Sequence, residues 1–271
     1  MAIADVSSKS IAELISLKGR VAVVTGGSRG LGFAICKRLA EAGAAVFVTA
    51  RNEEGAKAAA EEIQNLGGQA IGVSADATDS QALGALADRS ISEFGRLDIW
   101  VNNAGVSKFQ PLWEVTDDKW SETMDANLSS AFYGSREAAK RMRDAGNGGV
   151  IINLSSTQGF RSGGPMLTHY ISAKHGVRGL TKSLAVELGQ YGIRVLALAP
   201  TYMVTDGTAG VKKQLSQVVG GDPEEQVGKM LPLGRVGIPD DVARVALFCA
   251  SDLAMFMTGD TLLVDAGNIA L

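Results

Sequence analysis

Arg20-Val21-Ala22-Val23-Val24-Thr25-Gly26-Gly27-Ser28-Arg29-Gly30-Leu31-Gly32 is the stretch that decides the fold. Its first half is a continuous apolar run of strand length, and its second half is a glycine turn. A helical pattern follows over Phe33–Ala42 and stops at Gly43, and a second apolar run, Ala45–Thr49, completes a βαβ unit of about thirty residues. Glycines between a strand end and a helix start let the backbone turn tightly and let a pyrophosphate approach. The unpaired N–H groups and positive dipole end of the helix then favour the anion.

Working outward, the alternation continues. Helical patterns cover Glu53–Leu66, Asp79–Phe94, Trp120–Arg143, Thr168–Gly189 and Asp240–Ala250. Strand patterns cover Ala70–Ala75, Leu97–Asn102, Val150–Leu154, Arg194–Leu198 and Thr261–Val264. Strands apolar on both faces, alternating with helices, predict an α/β fold with a doubly wound parallel sheet of about seven strands and helices on both faces. Residues 1–17 read as a leader in which Ser10–Leu17 can form a turn or two. Residues 18–271 read as a single domain, with an irregular Gly-rich segment at about 205–237 suited to closing over a pocket.

With 46% hydrophobic residues and a formal charge of −3, the chain has a sizeable core and no basic run of the kind nucleic acid needs. No apolar stretch reaches the roughly 18–20 residues that span a bilayer, so no membrane partner is expected. The first ten residues lack a basic region followed by an apolar core, so no secretory signal is expected. Cys36 and Cys249 fall in helical patterns without metal-ligand spacing and suit buried thiols of a reducing compartment, the cytoplasm. No metal site is expected.

Tyr170 and Lys174 are four residues apart in the long helical pattern and therefore share a face. A free phenol, with a pKa of about 10, is a poor acid or base near neutrality. A neighbouring ammonium is expected to lower that value by about 1–3 units, which would let Tyr170 exchange a proton with a substrate oxygen. His169 and His175 flank the pair and read as wall or surface residues.

Taken together, Thr25-Gly26-x-x-x-Gly30-x-Gly32, Asp76, Asn102-Asn103-Ala104-Gly105, Asn127, Ser155-Ser156-Thr157-Gln158-Gly159, Tyr170-x-x-x-Lys174 and Pro200…Thr205 follow one another in an order that resembles the short-chain dehydrogenase/reductase family from Arg20 to about Gly267. The resemblance implies a Rossmann-like fold, a nicotinamide cofactor and hydride transfer at a Ser156, Tyr170, Lys174 and Asn127 site. Ser156 and Tyr170 would polarise a carbonyl, Tyr170 would deliver the proton, and Lys174 would lower the tyrosine pKa. Asn127 would hold a water linking Lys174 to solvent. Cofactor contacts would come from Gly26, Ser28, Arg29, Gly30, Leu31, Gly32, Arg51, Asp76, Ala77, Asn103, Ala104, Gly105, Tyr170, Lys174, Pro200 and Thr205. Ala50 stands where an NAD enzyme usually has a carboxylate, and Arg51 and Arg29 suit a 2′-phosphate, so the expected cofactor is NADP(H).

Gln158, Phe160, Met166, Tyr202 and Met203 are the expected substrate wall; being apolar or neutral, they predict a neutral, mainly apolar ketone or the matching secondary alcohol. Two alternatives remain. One is a 3-oxoacyl-thioester reductase that docks an acidic carrier protein on Arg136, Lys140, Arg141 and Arg143. The other is a non-catalytic NADP(H)-binding sensor. The resemblance also implies pairing of the two long helices in a homo-oligomer, a dimer or tetramer. The chain departs from the family pattern at Leu196, Thr201 and Ala266, where Asn, Gly and Gly are common. Ser156 precedes Tyr170 by fourteen residues, which enlarges the loop 160–169.

Overall fold

In the computed structural model, which describes residues 3–205, 212 and 222–271, seven parallel strands form one sheet. They are β1 (Val21–Val24), β2 (Ala45–Ala50), β3 (Gln69–Ser74), β4 (Ile99–Asn102), β5 (Gly149–Leu154), β6 (Ile193–Pro200) and β7 (Thr261–Val264). The order β3-β2-β1-β4-β5-β6-β7 places the switch of direction between β1 and β4, and a ligand crevice opens at the carboxyl ends of the strands there. The glycine turn follows β1, Asn103–Gly105 follow β4, Ser155 and Ser156 follow β5, and Thr201–Thr205 follow β6. Four separate stretches of sequence therefore meet at one edge.

Alternation along each strand feeds two cores. Ala22, Val24, Val46, Val48, Ile152 and Leu198 point to one face, against α2 (Gly30–Glu41) and a late helix, α9 (Pro239–Ala250). Val21, Val23, Phe47, Trp100, Ile151 and Val195 point to the other, against α4 (Ser80–Phe94), α6 (Ser130–Ala145) and α7 (Thr168–Leu188). A polar chain crosses the second face. Trp100 Nε1 donates to Asn102 Oδ1 at 2.7 Å, Asn102 Nδ2 to Asn153 Oδ1 at 2.8 Å, and Asn153 Nδ2 to the Thr181 hydroxyl at 3.0 Å. All four side chains are buried, so these bonds tie β4 and β5 to α7 in a setting where an unmade bond is costly.

The leader is tied down. Leu17 is fully buried, its N–H bonds to Ala42, and Lys9 pairs with Asp252 at 2.6 Å beyond the short helix α1 (Ile11–Ile15). Further helices are α3 (Glu53–Asn65), α5 (Asp117–Met124) and α8 (Pro223–Met230). Among the described residues no helix is long and apolar enough to cross a membrane. Of the expected closing segment 205–237, residues 206–211 and 213–221 lie outside the described ones, and the described part holds α8 and a bridge from Gly237 to Met203.

One expected element is divided. The pattern Trp120–Arg143 predicts one helix, but a π-helical turn over Asp125–Ser129 separates α5 from α6. Asn127 is the cause. Its Nδ2 donates to the Thr123 carbonyl at 3.0 Å, the acceptor its own amide would use in an α-helix, and the Ser130 N–H reaches back to Asp125 instead.

Candidate active site

α7 begins at Thr168 and buries a stripe of small or apolar positions, Ala173, Val177, Thr181 and Ala185. Tyr170 and Lys174 lie beside this stripe, one turn apart. Lys174 is 4% exposed; its Nζ donates to the Leu154 carbonyl at 2.7 Å and stands 5.6 Å from the centre of the Tyr170 ring. Burial lowers the ammonium from its ordinary value to about 8. The Tyr170 hydroxyl moves the opposite way from the expectation. Burial raises its pKa, a hydrogen bond with Ser156 opposes this, and burial wins. Lys174 donates one hydrogen bond to the Leu154 carbonyl and stands over the ring face rather than at the hydroxyl, and the expected lowering of the phenol is absent.

Ser156 opens the 3-10 turn Thr157–Gly159, its Oγ accepting from the Gln158 N–H at 3.1 Å. The Ser155 hydroxyl instead donates to the Lys174 carbonyl at 3.0 Å and fastens α7 to β5. A side chain on Gly159 would stand 2.8 Å from the Lys174 carbonyl oxygen, so this turn lies directly on α7. Sequence reasoning missed Arg178, whose Nη1 donates to the Gly159 carbonyl at 2.7 Å while its guanidinium covers the Phe160 ring at 3.5 Å. The signal was available: Arg178 is one helical turn beyond Lys174.

Asn127 is 2% exposed and its amide is spent on backbone. Nδ2 donates to Val106 and Thr123, and Oδ1 accepts from the Val106 N–H at 3.2 Å. A Cβ on Gly105 would stand 2.7 Å from that Oδ1 and 3.6 Å from Lys174 Nζ, so Gly105, Asn127 and Lys174 are neighbours. His169 is buried, with Nδ1 unpartnered and its pKa lowered by burial. His175 is exposed and bonds to Ile171 on its own helix.

The glycine turn fits a pyrophosphate. Gly26 and Gly30 have φ of +63° and +55°, and a Cβ on Gly32 would collide with the Gly26 carbonyl oxygen and with Asn103 Nδ2. Asn103 braces the turn through Nδ2 to the carbonyls of Thr25 (2.9 Å) and Gly26 (3.0 Å). The Thr25 hydroxyl accepts from the Asn103 and Ala104 N–H groups at 3.0 and 3.1 Å. A Cβ on Gly30 would lie 3.5 Å from the Thr205 Cβ, which brings the loops after β1 and β6 together. Leu31 and Ser28 are half-buried beside this turn, and Pro200 is buried at the end of β6.

At the outer end of the crevice, Arg29 and Arg51 are exposed, and neither is in an ion pair among the described residues. Asp76 accepts from the Thr78 N–H and hydroxyl at 2.9 and 2.8 Å, which with Arg51 nearby holds its carboxyl below the usual range; Ala77 sits between them. These residues would hold a dinucleotide: glycines and a helix start for the pyrophosphate, and Arg29 and Arg51 for charge at the ribose.

Of the expected substrate wall, Phe160 lies under Arg178, and Met166 is 42% exposed at φ +65°, with its carbonyl accepting from the Gln110 N–H at 2.8 Å. Gln158 is half-buried and its Oε1 has no partner; Tyr202 is half-buried. Met203 is 5% exposed and packs within the core beside Gly237, so it stands behind the wall rather than on it. Arg161 turns away, its Nη2 donating to the Asn268 carbonyl at 2.6 Å and Oδ1 at 2.7 Å. Among the described residues there is no group of three His, Cys, Asp or Glu placed to hold a metal ion.

A family model described as enoyl-(acyl carrier protein) reductase matches residues 26–268. The chain is 39% identical over 252 residues to L-rhamnose 1-dehydrogenase (NAD(P)(+)) of Azotobacter vinelandii, covering 92% of this chain and 96% of that protein. It is 40% identical over 254 residues to 3beta-hydroxysteroid dehydrogenase 1 of Eggerthella lenta, covering 93% and 94%. It superposes on a gluconate 5-dehydrogenase from Burkholderia cenocepacia, solved in complex with NADP and tartrate, with a TM-score of 0.88 at 33% identity over 97% of this chain and all of that one. These likenesses run the length of the sheet and both sides of the crevice, and the chain belongs to the short-chain dehydrogenase/reductase family of oxidoreductases.

Proposed function

We propose that this chain is an NADP(H)-dependent carbonyl reductase that interconverts a neutral, mainly apolar ketone and its secondary alcohol. The observation that carries this is the Tyr170 phenol, raised by burial, next to Ser156 and one turn from a buried Lys174. A raised phenol stays protonated through neutral pH, the form that reduction of a carbonyl requires. Ser156 and Tyr170 donate hydrogen bonds to the carbonyl oxygen, and Tyr170 gives up its proton as negative charge develops there. The bound nicotinamide supplies the hydride. Lys174 stands one turn along, 5.6 Å from the centre of the Tyr170 ring, and Arg178 holds the turn that carries Ser156.

NADP(H) is favoured because Ala50, Arg51 and Ser74 end β2 and β3 without a carboxylate, beside the exposed Arg29. A relative solved with NADP is consistent with this. A neutral substrate is favoured because nearby cations are engaged: Arg161 with Asn268, Lys108 with Glu122, and Lys212 with Glu224. The carrier-protein alternative loses ground on similar evidence. Arg136 and Lys140 pair with Glu137, Arg141 with Glu137 and Asp88, and Arg143 with Asp144, so four cations meet three carboxylates. We read residues 18–271 as one catalytic domain working in the cytoplasm, where buried free thiols such as Cys36 and Cys249 persist. Exposed Phe132 on α6 and Val186 on α7, 40% and 85% accessible, suit pairing of copies as a dimer or tetramer, which light scattering at micromolar concentration tests.

The test of the substrate is a panel of cyclic, aryl and aliphatic ketones run beside a 3-oxoacyl thioester and a keto acid, following NADPH consumption. Turnover of neutral ketones is expected. Turnover of the thioester or the keto acid alone overturns the reading, and no turnover with tight NADPH binding favours the sensor.

A further inference from the structure

Three segments surround the end of β7: the enlarged loop 160–167, which lies between Ser156 and Tyr170 in sequence, Thr201–Thr205 after β6, and the chain entering α9 through Pro232 and Leu233. The segment after β7, Asp265–Leu271, touches all three. Arg161 Nη2 donates to the carbonyl and Oδ1 of Asn268 at 2.6 and 2.7 Å, and its Nη1 to the Leu271 carbonyl at 3.2 Å. Asn268 Nδ2 donates to the Thr201 hydroxyl at 2.7 Å. The Leu233 N–H donates to the Ala266 carbonyl at 3.3 Å, and a Cβ on Gly267 would stand 2.9 Å from Pro232.

The segment is itself set for this. Asp265 accepts from the N–H groups of Gly267 (3.0 Å) and Ile269 (2.8 Å), closing a tight turn. That turn puts Ala266 at φ +52° and Gly267 at φ +85°. A side-chain-bearing residue in the left-handed region is held there at a cost, and surrounding bonds must secure it. Thr201 and Ala266, two of the departures from the family pattern, belong to this arrangement. The Thr201 hydroxyl gives Asn268 an acceptor that a glycine would lack.

We infer that Asn268 is a positioning residue: through Arg161 and Thr201 it locks the loop 160–167 to the start of the 201–205 segment and so presets the substrate wall. This rests on the proposed carbonyl reductase reading for its kinetic consequence but not for its structural one. A wall that is only partly populated in its binding form weakens apparent substrate affinity in proportion, leaving the chemical step and the cofactor site alone.

The test uses the full chain with Asn268→Ala, Arg161→Ala, the double variant, Asn268→Asp and Asn268→Leu. Ketone KM is expected to rise roughly 10-fold in each alanine variant and no further in the double, because both break one linkage. NADPH Kd and kcat should stay within about twofold of the unmodified protein. Aspartate keeps an acceptor for Arg161 and can accept from the Thr201 hydroxyl, so Asn268→Asp restores KM, whereas Asn268→Leu fills the space and does not. Hydrogen exchange supplies a readout without turnover: amides of 160–167 and 201–204 exchange faster in Asn268→Ala, while β4 and β5 do not change. If no ketone is turned over by the unmodified protein, the reductase reading fails and exchange alone decides the linkage. Rescue by leucine, additive KM effects, or unchanged exchange in both loops overturns the inference.

Discussion

The ammonium of Lys174 stands 5.6 Å from the centre of the Tyr170 ring, and both groups are pushed by burial toward their neutral forms. The pair is therefore poised for proton donation. Tyr170→Phe is expected to lower ketone reduction by roughly 10²–10⁴-fold while leaving NADPH affinity within a few-fold. Reduction by the unmodified protein should decline as alkaline pH removes the phenol proton, and the residual activity of the variant should lack that decline. Because burial raises the phenol above its ordinary value of 10.0, the decline lies at the alkaline end, and steady-state rates from pH 6 to about 11, with cofactor binding followed by fluorescence, measure both. Equal turnover in the two proteins would remove Tyr170 from the mechanism.

Burial of Lys174 also carries a stability consequence with a definite sign. Its pKa falls from the ordinary lysine value of 10.5 to about 8 in the fold, so between those pH values the unfolded chain binds more protons than the folded one. Stability from this group rises with pH across that window, and below it the buried ammonium costs about 3 kcal/mol, taking roughly 1.4 kcal/mol per unit. Lys174→Met removes that cost but leaves the Leu154 carbonyl without its donor, worth about 1–3 kcal/mol. The variant should be inactive yet at least as thermostable as the parent at pH 7, with its relative stability declining toward pH 10. Paired thermal unfolding curves at the two pH values decide it.

Much of this was legible because the residues concerned act locally. Apolar runs of strand length, glycines at their ends and a Tyr-Lys spacing of four need no tertiary information, and they located the sheet, the crevice and the pair. The π turn at Asp125–Ser129 was not legible. It depends on an asparagine amide displacing a backbone donor, and the surrounding sequence still has helical periodicity. The direction of the Tyr170 shift was missed for a different reason. Spacing placed an ammonium nearby but could not reveal that it would donate to the Leu154 carbonyl or that the phenol would be so desolvated. Arg161 illustrates a third limit, since its partner Asn268 lies more than a hundred residues away.

Cofactor choice follows from charge at the ends of β2 and β3. Arg51→Ala should reduce kcat/KM for NADPH at least roughly 10-fold and change NADH use little, since a guanidinium–phosphate pair is lost only with the former. Adding Ala50→Asp should reverse the preference by placing a carboxylate where ribose hydroxyls approach. Comparing kcat/KM for both cofactors in the three proteins checks this. Better use of NADH by the unmodified chain would count against the assignment.

Gly32 and Gly55 provide a matched pair of glycine-to-alanine changes in helices, one inside the cofactor crevice and one outside it. A methyl at Gly32 would overlap the Gly26 carbonyl oxygen and Asn103 Nδ2, the two groups joined by the 3.0 Å bond that closes the turn. The turn must open to admit it, which costs about 1–3 kcal/mol as overpacking does and disperses the N–H groups aimed at the pyrophosphate. A methyl at Gly55 in α3 meets no atom within 4 Å, so there alanine's better helix propensity should act alone and add about 0.5–1 kcal/mol. Gly32→Ala is accordingly expected to lose NADPH affinity by roughly 10-fold or more with its far-UV circular dichroism intact, and Gly55→Ala to bind normally and melt no lower than the parent. Normal NADPH binding by Gly32→Ala would mean that the turn after β1 does not carry the pyrophosphate.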